Sequence, residues 1–307
     1  MPTTTLPGTT RRPRVLIVGA GFGGLAAIRG LRHATVDVIV VDRTNHHLFQ
    51  PLVYQVATGL LSPGEIAPAL RKILRRQRNA TVVLAETTDV DLASRQVEVL
   101  ETGGTTRRIG YDYLVVAAGS QDSYFGHDEW AKHLYPMKTL AEAARLRDQL
   151  LTAYERAAQC DDPAEQSRWT TFAIVGAGPT GVEIAGQLAS LARALRHELH
   201  QMNTIRSRIV LIDALDEVLS TFPRTLRTHT HQRLTAMGVD ILLDTMADAV
   251  DVAGITVKTK DGRTERIDTH TVIWAAGVRA SPLAGRLGQA AGVGVDRKGR
   301  VPVRPDS

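Results

Sequence analysis

The sequence contains a single cysteine, Cys160, and no long apolar run. One cysteine excludes a disulfide scaffold, a CxxC redox pair and a multi-thiolate metal site, and we expect no bound metal. No stretch reaches the roughly 18 consecutive apolar residues of a transmembrane helix. Residues 1–13 include Arg11 and Arg12 but no apolar segment before a cleavage site, so we predict a flexible tail and no secretory signal.

The composition is that of a globular protein. A length of 307 residues suits one large or two mid-sized domains, and 43% hydrophobic with 22% charged residues exclude a disordered or fibrous chain. The formal net charge of +5 is compatible with acidic ligands or an anionic membrane surface and selects neither. The basic stretch Arg71–Arg78 fits a solvated helix face, which we favour, or a contact with anionic lipid.

One structural plan occurs twice along the chain. In each copy an apolar strand runs into a glycine-rich turn and an Ala/Leu-rich helix, first from Arg14 to about His33 and again from Phe172 to about Met202. The second helix carries an apolar stripe, in which Leu199 is the last member. A second apolar strand then ends in an acid, an antiparallel meander follows, and a buried strand ending in small residues closes the copy. This order predicts an α/β fold with two Rossmann-like domains, each having three layers, a parallel sheet and an antiparallel β-meander.

The domain boundaries follow from the stretch that separates the two copies. A helical pattern runs from Thr139 to about Ala158, and a polar segment, Asp161–Arg168, comes after it. We therefore predict a first domain over residues 14–136 and a second over residues 137–280. Residues 281–307 are predicted to return towards the first domain.

Gly19, Gly21 and Gly24 form a GxGxxG set that lies between a strand and a helix. The first glycine permits a tight turn, the second lets a pyrophosphate approach the backbone, and the third lets helix and strand pack closely. The phosphates would lie at the helix N-terminus, where unpaired N–H groups meet their charge. Asp42 follows at about the 20-residue spacing of an acid that binds ribose hydroxyls. A glycine-rich turn without a ligand is the weaker interpretation.

The set recurs at Gly176, Gly178 and Gly181, with Asp213 as the later acid. A long helix and a turn at Asn203–Ser207 account for the wider spacing. An acid at this point favours a free 2′-hydroxyl and hence NADH over NADPH. Arg206 or Arg208 could instead bind the 2′-phosphate of NADPH, so that alternative stays open. Asp213 could also be a solvated acid at a strand end. Two such sites imply two nucleotides and electron transfer from a nicotinamide to a flavin, in an order that the motifs alone leave open.

Several longer segments resemble the type II (non-proton-pumping) NADH:quinone oxidoreductases. They are Asn45–Gly59, Ser62–Pro68, Tyr111–Ser120, Val175–Glu183 and Trp274–Ser281, with an actinobacterial character in Ser123–Gly126. The resemblance covers nearly the whole chain from Arg14 onward. It implies the FAD/NAD(P)-binding fold of the pyridine nucleotide-disulfide oxidoreductase-like superfamily, with FAD in the first site, NADH in the second and a quinone as electron acceptor.

The resemblance also implies roles for individual residues. The FAD site would comprise Gly19, Gly21, Phe22, Gly23, Gly24, Asp42, Arg43, His47, Gln50, Gln55, Ala118 and Gly119. The NADH site would comprise Gly176, Gly178, Pro179, Thr180, Gly181, Asp213, Ala276 and Gly277. For His46 and His47 the alternative is a polar loop. For Gln50 and Gln55 a purely structural role is an equal alternative, and for Phe49 and Leu52 we favour a place in the core.

Glu183 is the one catalytic residue that the resemblance suggests. It would lie beside the contact of nicotinamide and flavin and influence substrate binding or proton delivery. The alternative is an acid in the first helical turn, stabilised by the helix dipole.

The lone Cys160 disfavours disulfide reductases and sulfide:quinone reductases, which need thiol pairs.

The family continues beyond the last residue of this sequence. A later Gly-Asp that holds the FAD ribityl chain, the quinone-contacting glutamine motif and membrane-docking helices lie in that further part. The resemblance implies peripheral attachment to the cytoplasmic face of the inner membrane through it, a possible homodimer and no nucleic-acid partner. A soluble NADH:acceptor flavin reductase and a non-catalytic nucleotide-binding homologue remain alternatives.

Overall fold

The structure, a computed structural model, describes residues 11–198 and 206–305. The predicted tail before Arg11, the helix end at Leu199 and Met202, and most of the turn from Asn203 lie outside the described residues. Within them, the strands are β1 Arg14–Val18, β2 Asp37–Asp42, β3 Ala80–Asp91, β4 Gln96–Glu101, β5 Thr106–Gly110, β6 Tyr113–Val116, β7 Ser120–Asp122, β8 Leu134–Pro136, β9 Thr171–Val175, β10 Arg208–Ile212, β11 Val239–Leu242, β12 Thr245–Asp251, β13 Gly254–Thr259, β14 Thr264–Asp268, β15 Thr271–Trp274 and β16 Val278–Ala280.

The helices are α1 Phe22–Gly30, α2 Val53–Ala57, α3 Pro63–Ile66, α4 Leu70–Ile73, α5 Leu140–Ala158, α6 Pro163–Thr170, α7 Pro179–Glu198, α8 Arg224–Ala236 and α9 Pro282–Ala290. Two 3₁₀ turns, Gln50–Leu52 and Asp128–His133, complete the set. Among the described residues, no helix combines the length and the apolar character that crossing a bilayer requires.

The described residues form two compact units. The first comprises the described parts of Met1–His47, Pro68–Gln121 and Arg279–Ser307, and the second comprises Leu48–Ala67 and the described part of Asp122–Val278. The strands β7 and β16 lie where the chain passes from one unit to the other.

The first unit is built on one six-stranded sheet in the order β5-β4-β3-β2-β1-β6. Its strands β3, β2, β1 and β6 are parallel, and β4 and β5 continue the sheet as an antiparallel meander. Because β1 and β2 lie in the middle of this sheet, their apolar residues are almost wholly buried, as in other central parallel strands. Ile17 and Val40 pack with Ile28 of α1 on one face, and Leu16 packs with Leu283 of α9 on the other.

The second unit has a five-stranded parallel sheet in the order β11-β10-β9-β15-β8. The central strand β9 has all five residues buried. A separate antiparallel sheet, β12-β13-β14, is the predicted meander. On one face of the parallel sheet α5 packs against Phe172 and Ile174, and on the other Val210 and Trp274 pack against the meander. The predicted α/β class with parallel sheets and meanders is confirmed.

The unit boundaries differ from the predicted ones at two points. The chain enters the second unit at Asp122 instead of near Pro136, because β8 pairs with β15 as the edge of the second sheet. Leu48–Ala67 also groups with the second unit. The reason is that Val53, Val56 and Ala57 of α2 are buried in the same core as α5 and α7.

Two helices also differ from their predicted extents. The helix α1 ends at Gly30, three residues before His33, in a run of turns. The segment expected to be merely polar contains α6, which begins after Asp162. The Asp162 side chain accepts a hydrogen bond from the Ala164 N–H, and Pro163 occupies the first helical position.

Candidate functional site

The first glycine-rich turn joins β1 to α1, and two of the three glycines of its GxGxxG set are required by the packing of the protein itself. Gly19 has a φ of +93°, and a Cβ on it would overlap the Ala117 carbonyl. A Cβ on Gly24 would overlap the Gly19 carbonyl. Gly21 is different, because no protein atom beyond its neighbours lies within 4 Å of an added Cβ. The space beside Gly21 is therefore open for a ligand.

The second turn joins β9 to α7 and divides its glycines in the same way. Gly176 has a φ of +106°, and a Cβ on it would lie 2.8 Å from the Ala275 carbonyl carbon. A Cβ on Gly181 would overlap the Gly176 carbonyl, whereas nothing lies within 4 Å of one on Gly178. Neither α1 nor α7 carries an acidic residue in its first turn. Each helix therefore presents an uncompensated positive end to an anion.

The two strand-end acids have matching hydrogen bonds. Asp42 Oδ2 accepts from the Ala20 N–H at 2.6 Å, and Asp213 Oδ2 accepts from the Ala177 N–H at 2.5 Å. The Oδ1 atoms accept from the backbone of Thr44 at 2.7 Å and of Leu215 at 2.9 Å. Each acid thus holds its glycine-rich turn in shape. A carboxylate has about four lone-pair sites, so each acid keeps acceptor capacity for ribose hydroxyls.

A cavity of about 380 Å³ lies in the first unit at the carboxyl ends of β1 and β2. Of the residues predicted for FAD, Gly19, Asp42, Arg43 and Ala118 line it. Sequence reasoning missed the other lining residues. Two of them lie at the carboxyl ends of β1 and β2, and the rest come from β3, β7 and the start of α9; they are Val18, Val41, Ala85, Glu86, Thr87, Thr88, Ser120, Gln121, Ser281, Pro282, Leu283 and Arg286. The apolar run Val82–Ala85 in β3 was the available signal, but such a run indicates a strand and not the wall of a ligand site.

The other residues predicted for FAD lie outside this cavity. Gly21, Phe22, Gly23 and Gly24 form the turn and the first turn of α1, and Gly119 follows β6 with a φ of +69°. His47 is buried, with Nδ1 at 2.9 Å from the Ala20 carbonyl oxygen and its ring edge-on to Phe22. His47 therefore supports the glycine-rich turn.

The segment after His47 belongs to the second unit. Gln50 is half-buried in the first 3₁₀ turn, and Gln55 Nε2 donates to the Tyr54 hydroxyl at 3.0 Å. Neither glutamine lines the cavity of the first unit or that of the second. Phe49 is 43% exposed, so the expectation that it is a core residue was wrong, while Leu52 packs against the core.

A larger cavity, of about 730 Å³, lies in the second unit at the carboxyl ends of β9, β10 and β15. The predicted residues Gly176, Gly178, Asp213, Ala276 and Gly277 line it. Pro179, Thr180 and Gly181 do not; they form the first turn of α7. The lining that sequence reasoning missed includes an aromatic group and parts of two loops, namely Phe125, His127, Trp130, Trp274, Leu215, Glu217, Ser220 and residues 245–248.

Glu183 does not line either cavity and is not in the first turn of α7, which contains no acid. The expectation of an acid held by the helix dipole in that turn is therefore wrong. Glu183 has a surface-exposed side chain, yet nearby protein atoms displace enough water to raise the pKa of its carboxyl above the usual value. Its catalytic role stays a prediction.

The described residues contain no group of three or more histidine, cysteine or acidic side chains that could hold a metal ion.

Two glycine-rich turns, each at the end of a parallel strand with an acid on the next, define a protein with two dinucleotide-binding α/β domains. The profile of the pyridine nucleotide-disulphide oxidoreductase family matches residues 13–307. The chain belongs to this family.

Curated relatives confirm the predicted resemblance. The type II NADH:quinone oxidoreductase Ndh of Mycobacterium tuberculosis is 46% identical over 297 residues, which are 96% of this chain and 64% of that protein. The type II NADH:quinone oxidoreductase NdhA of the same organism is 47% identical over 96% of this chain and 63% of its own length. The chain thus spans a little under two thirds of these relatives.

The fold is also that of solved structures. NDH2 from Plasmodium falciparum, solved in complex with NADH, superposes with a TM-score of 0.85 at 21% identity, over 90% of this chain and 57% of that chain. The sulfide:quinone oxidoreductase of Aquifex aeolicus superposes with a TM-score of 0.73 at 16% identity, over 90% of this chain and 61% of that one. At such identities the likeness establishes the fold alone.

Proposed function

We propose that this chain is the nucleotide-binding part of a flavin-dependent oxidoreductase that takes a hydride from NADH and passes two electrons to a quinone. The observation that carries the proposal is the pair of middle glycines, Gly21 and Gly178, which face open space while the outer glycines of each turn are packed against backbone. A protein without ligands at these turns would have no packing reason for glycine at either position.

The residues of the first unit fit the ADP half of FAD. The turn at Gly21 and the N-terminus of α1 would bind the pyrophosphate, and Asp42 would accept hydrogen bonds from the ribose. Arg43 and Arg286 line the same cavity and would offset the phosphate charge. When bound, FAD supplies the redox chemistry, accepting a hydride and releasing electrons to an acceptor.

The residues of the second unit fit NADH better than NADPH. Asp213, Glu217 and Asp248 line its cavity, and no lysine or arginine does so among the described residues. Arg208, which could have served a 2′-phosphate, instead pairs with Asp240 at 3.0 Å. Glu217 forms an ion pair with Arg227, which does not line the cavity. Asp213 and Asp248 would repel a 2′-phosphate and accept hydrogen bonds from a free hydroxyl.

A quinone is proposed as the acceptor on the strength of the mycobacterial relatives, whose names specify it. Membrane attachment on the cytoplasmic face, a homodimer and a role of Glu183 in substrate binding or proton delivery stay predictions.

The proposal is tested with the visible spectrum of the purified protein. Flavin absorption at about 450 nm is expected, and it should be bleached by NADH without oxygen and much more slowly by NADPH. Adding a short-chain quinone should restore the absorption. Restoration by ferricyanide and not by quinone would favour a soluble NADH:acceptor reductase, and nucleotide binding without bleaching would favour the non-catalytic alternative.

A further inference from the structure

Phe125 has a backbone conformation that phenylalanine rarely adopts. Its φ is +54°, in the left-handed region, and its side chain is 66% exposed. A bulky residue at positive φ is strained, and a large exposed aromatic ring gains little from burial. Folding alone therefore does not account for phenylalanine at this position, and a ligand contact is the natural explanation.

The loop that carries Phe125 is firmly attached to the end of β15. The Ser123 N–H donates to the Gly277 carbonyl oxygen at 3.2 Å, and Trp274 Nε1 donates to the Ser123 carbonyl oxygen at 3.1 Å. The Phe125 ring centroid lies 6.2 Å from that of Trp274. A Cβ on Gly277 would lie 2.5 Å from Phe125 Cζ, so the ring lies directly over the Gly277 backbone. The exposed ring is thus held in one place by its loop.

The strand order tells which half of a dinucleotide would meet this ring. In the sequence β10-β9-β15, Asp213 follows β10, the glycine-rich turn follows the middle strand β9, and Gly277 follows β15. If Asp213 binds the adenosine ribose and the turn binds the pyrophosphate, the second half of the dinucleotide must extend over β15. Phe125 lines the cavity at that end.

We propose that the Phe125 ring packs against the nicotinamide riboside half of NADH and fixes its position at the end of β15. The inference rests on the proposed function, because it takes NADH as the occupant of this cavity. A flat apolar ring suits the dihydronicotinamide ring, because contact between the two faces excludes water from both. The rigid attachment of the loop means that this surface is formed before the ligand arrives.

The test compares two ligands that differ only at this end of the cavity. Isothermal titration of the full chain measures binding of tetrahydro-NADH, an analogue that donates no hydride, and of ADP-ribose, which lacks the nicotinamide. The variant Phe125→Asn removes the ring and suits the left-handed backbone, so it should fold at least as well as the parent. Phe125→Tyr keeps the ring, and Phe222→Ala removes an exposed phenylalanine of the same unit that does not line the cavity.

We expect Phe125→Asn to weaken tetrahydro-NADH binding by about five- to tenfold and to leave ADP-ribose binding within about twofold of the parent. Phe125→Tyr and Phe222→Ala should bind both ligands like the parent. Equal losses for both ligands, or no loss for either, would overturn the inference while leaving NADH binding in place. A parent chain that binds neither ligand would instead overturn the proposed function and this inference with it.

Discussion

Asp42 and Asp213 have an observed structural role in addition to the ligand-binding role proposed for them. Each carboxylate accepts two backbone hydrogen bonds, one of them from the glycine-rich turn of its own unit. The sequence pattern predicted an acid for ribose at these positions but gave no indication of the bonds to the turn. Those bonds join residues that are far apart in the chain, and a motif contains no information about them.

The double role changes what a substitution of Asp213 is expected to do. Asp213→Asn keeps one oxygen acceptor and replaces the other with an amide NH₂ group. That group cannot accept the hydrogen bond that the Ala177 N–H or the Leu215 N–H donates to Asp213. Loss of a charge-assisted bond to ribose should weaken NADH by about tenfold, whereas NADPH, freed from repulsion, should lose less. Steady-state KM values for both nucleotides measure the change in preference.

Asp42→Asn is the matched control, because it makes the same change in the first unit. It should lower flavin content and leave the ratio of NADH to NADPH use as in the parent. If the parent itself used NADPH with the same efficiency as NADH or a higher one, the assignment of Asp213 to the adenosine ribose would be wrong.

Helix starts are the elements that could be read most directly from local sequence. Thr139 begins α5 with a capping box, in which the Glu142 N–H donates to Thr139 Oγ1 at 3.2 Å and Glu142 accepts from the Thr139 N–H at 2.8 Å. The helix α6 escaped prediction because it is short and lacks an apolar stripe. It is held instead by tertiary contacts, such as the bond from Gln166 Nε2 to the Ala157 carbonyl oxygen.

The start of α5 also carries an electrostatic conflict. Asp122 is partly buried near the capping residue Glu142, and desolvation, with a smaller contribution from that like charge, raises the pKa of Asp122 to about 6. An acid with a raised pKa binds its proton more tightly in the folded protein. Its contribution to stability is therefore present below about pH 4 and is lost as the pH rises through about 6.

We therefore expect Asp122→Asn to stabilise the protein at pH 7.5, which is above the raised pKa of Asp122, about 6. After allowance for solvent screening the gain should be on the order of 1 kcal/mol, or roughly 2–4 °C in Tm. At about pH 4 the variant and the parent should melt together. Thermal melts across this range test the expectation, with Asp161→Asn as an exposed control. A gain that is independent of pH would show that the carboxylate charge is not its source.

At the scale of the whole molecule, the repeated order of strands, turns and helices made the fold class predictable. Central parallel strands must be apolar on both faces, and a GxGxxG turn occurs in few kinds of site. Both features can therefore be recognised from the sequence. The unit to which Leu48–Ala67 belongs could not be predicted, because its apolar residues could be buried in the core of either unit. The residues that line the cavities could not be predicted either, because residues 245–248 and Phe125 come to line the cavity of the second unit only through the tertiary fold.

Two glycine-rich turns in separate units predict that the two nucleotide functions can be removed one at a time. Gly21→Val should cut flavin content at least tenfold, and Gly178→Val should spare flavin and abolish its reduction by NADH, because each side chain would enter the open space that we assign to a pyrophosphate. Flavin absorption and NADH bleaching measure the two effects. Gly181→Ala is the contrasting control: its Cβ overlaps the Gly176 carbonyl, so it should lower Tm. Flavin loss in Gly178→Val with normal flavin in Gly21→Val would reverse the assignment of the two sites.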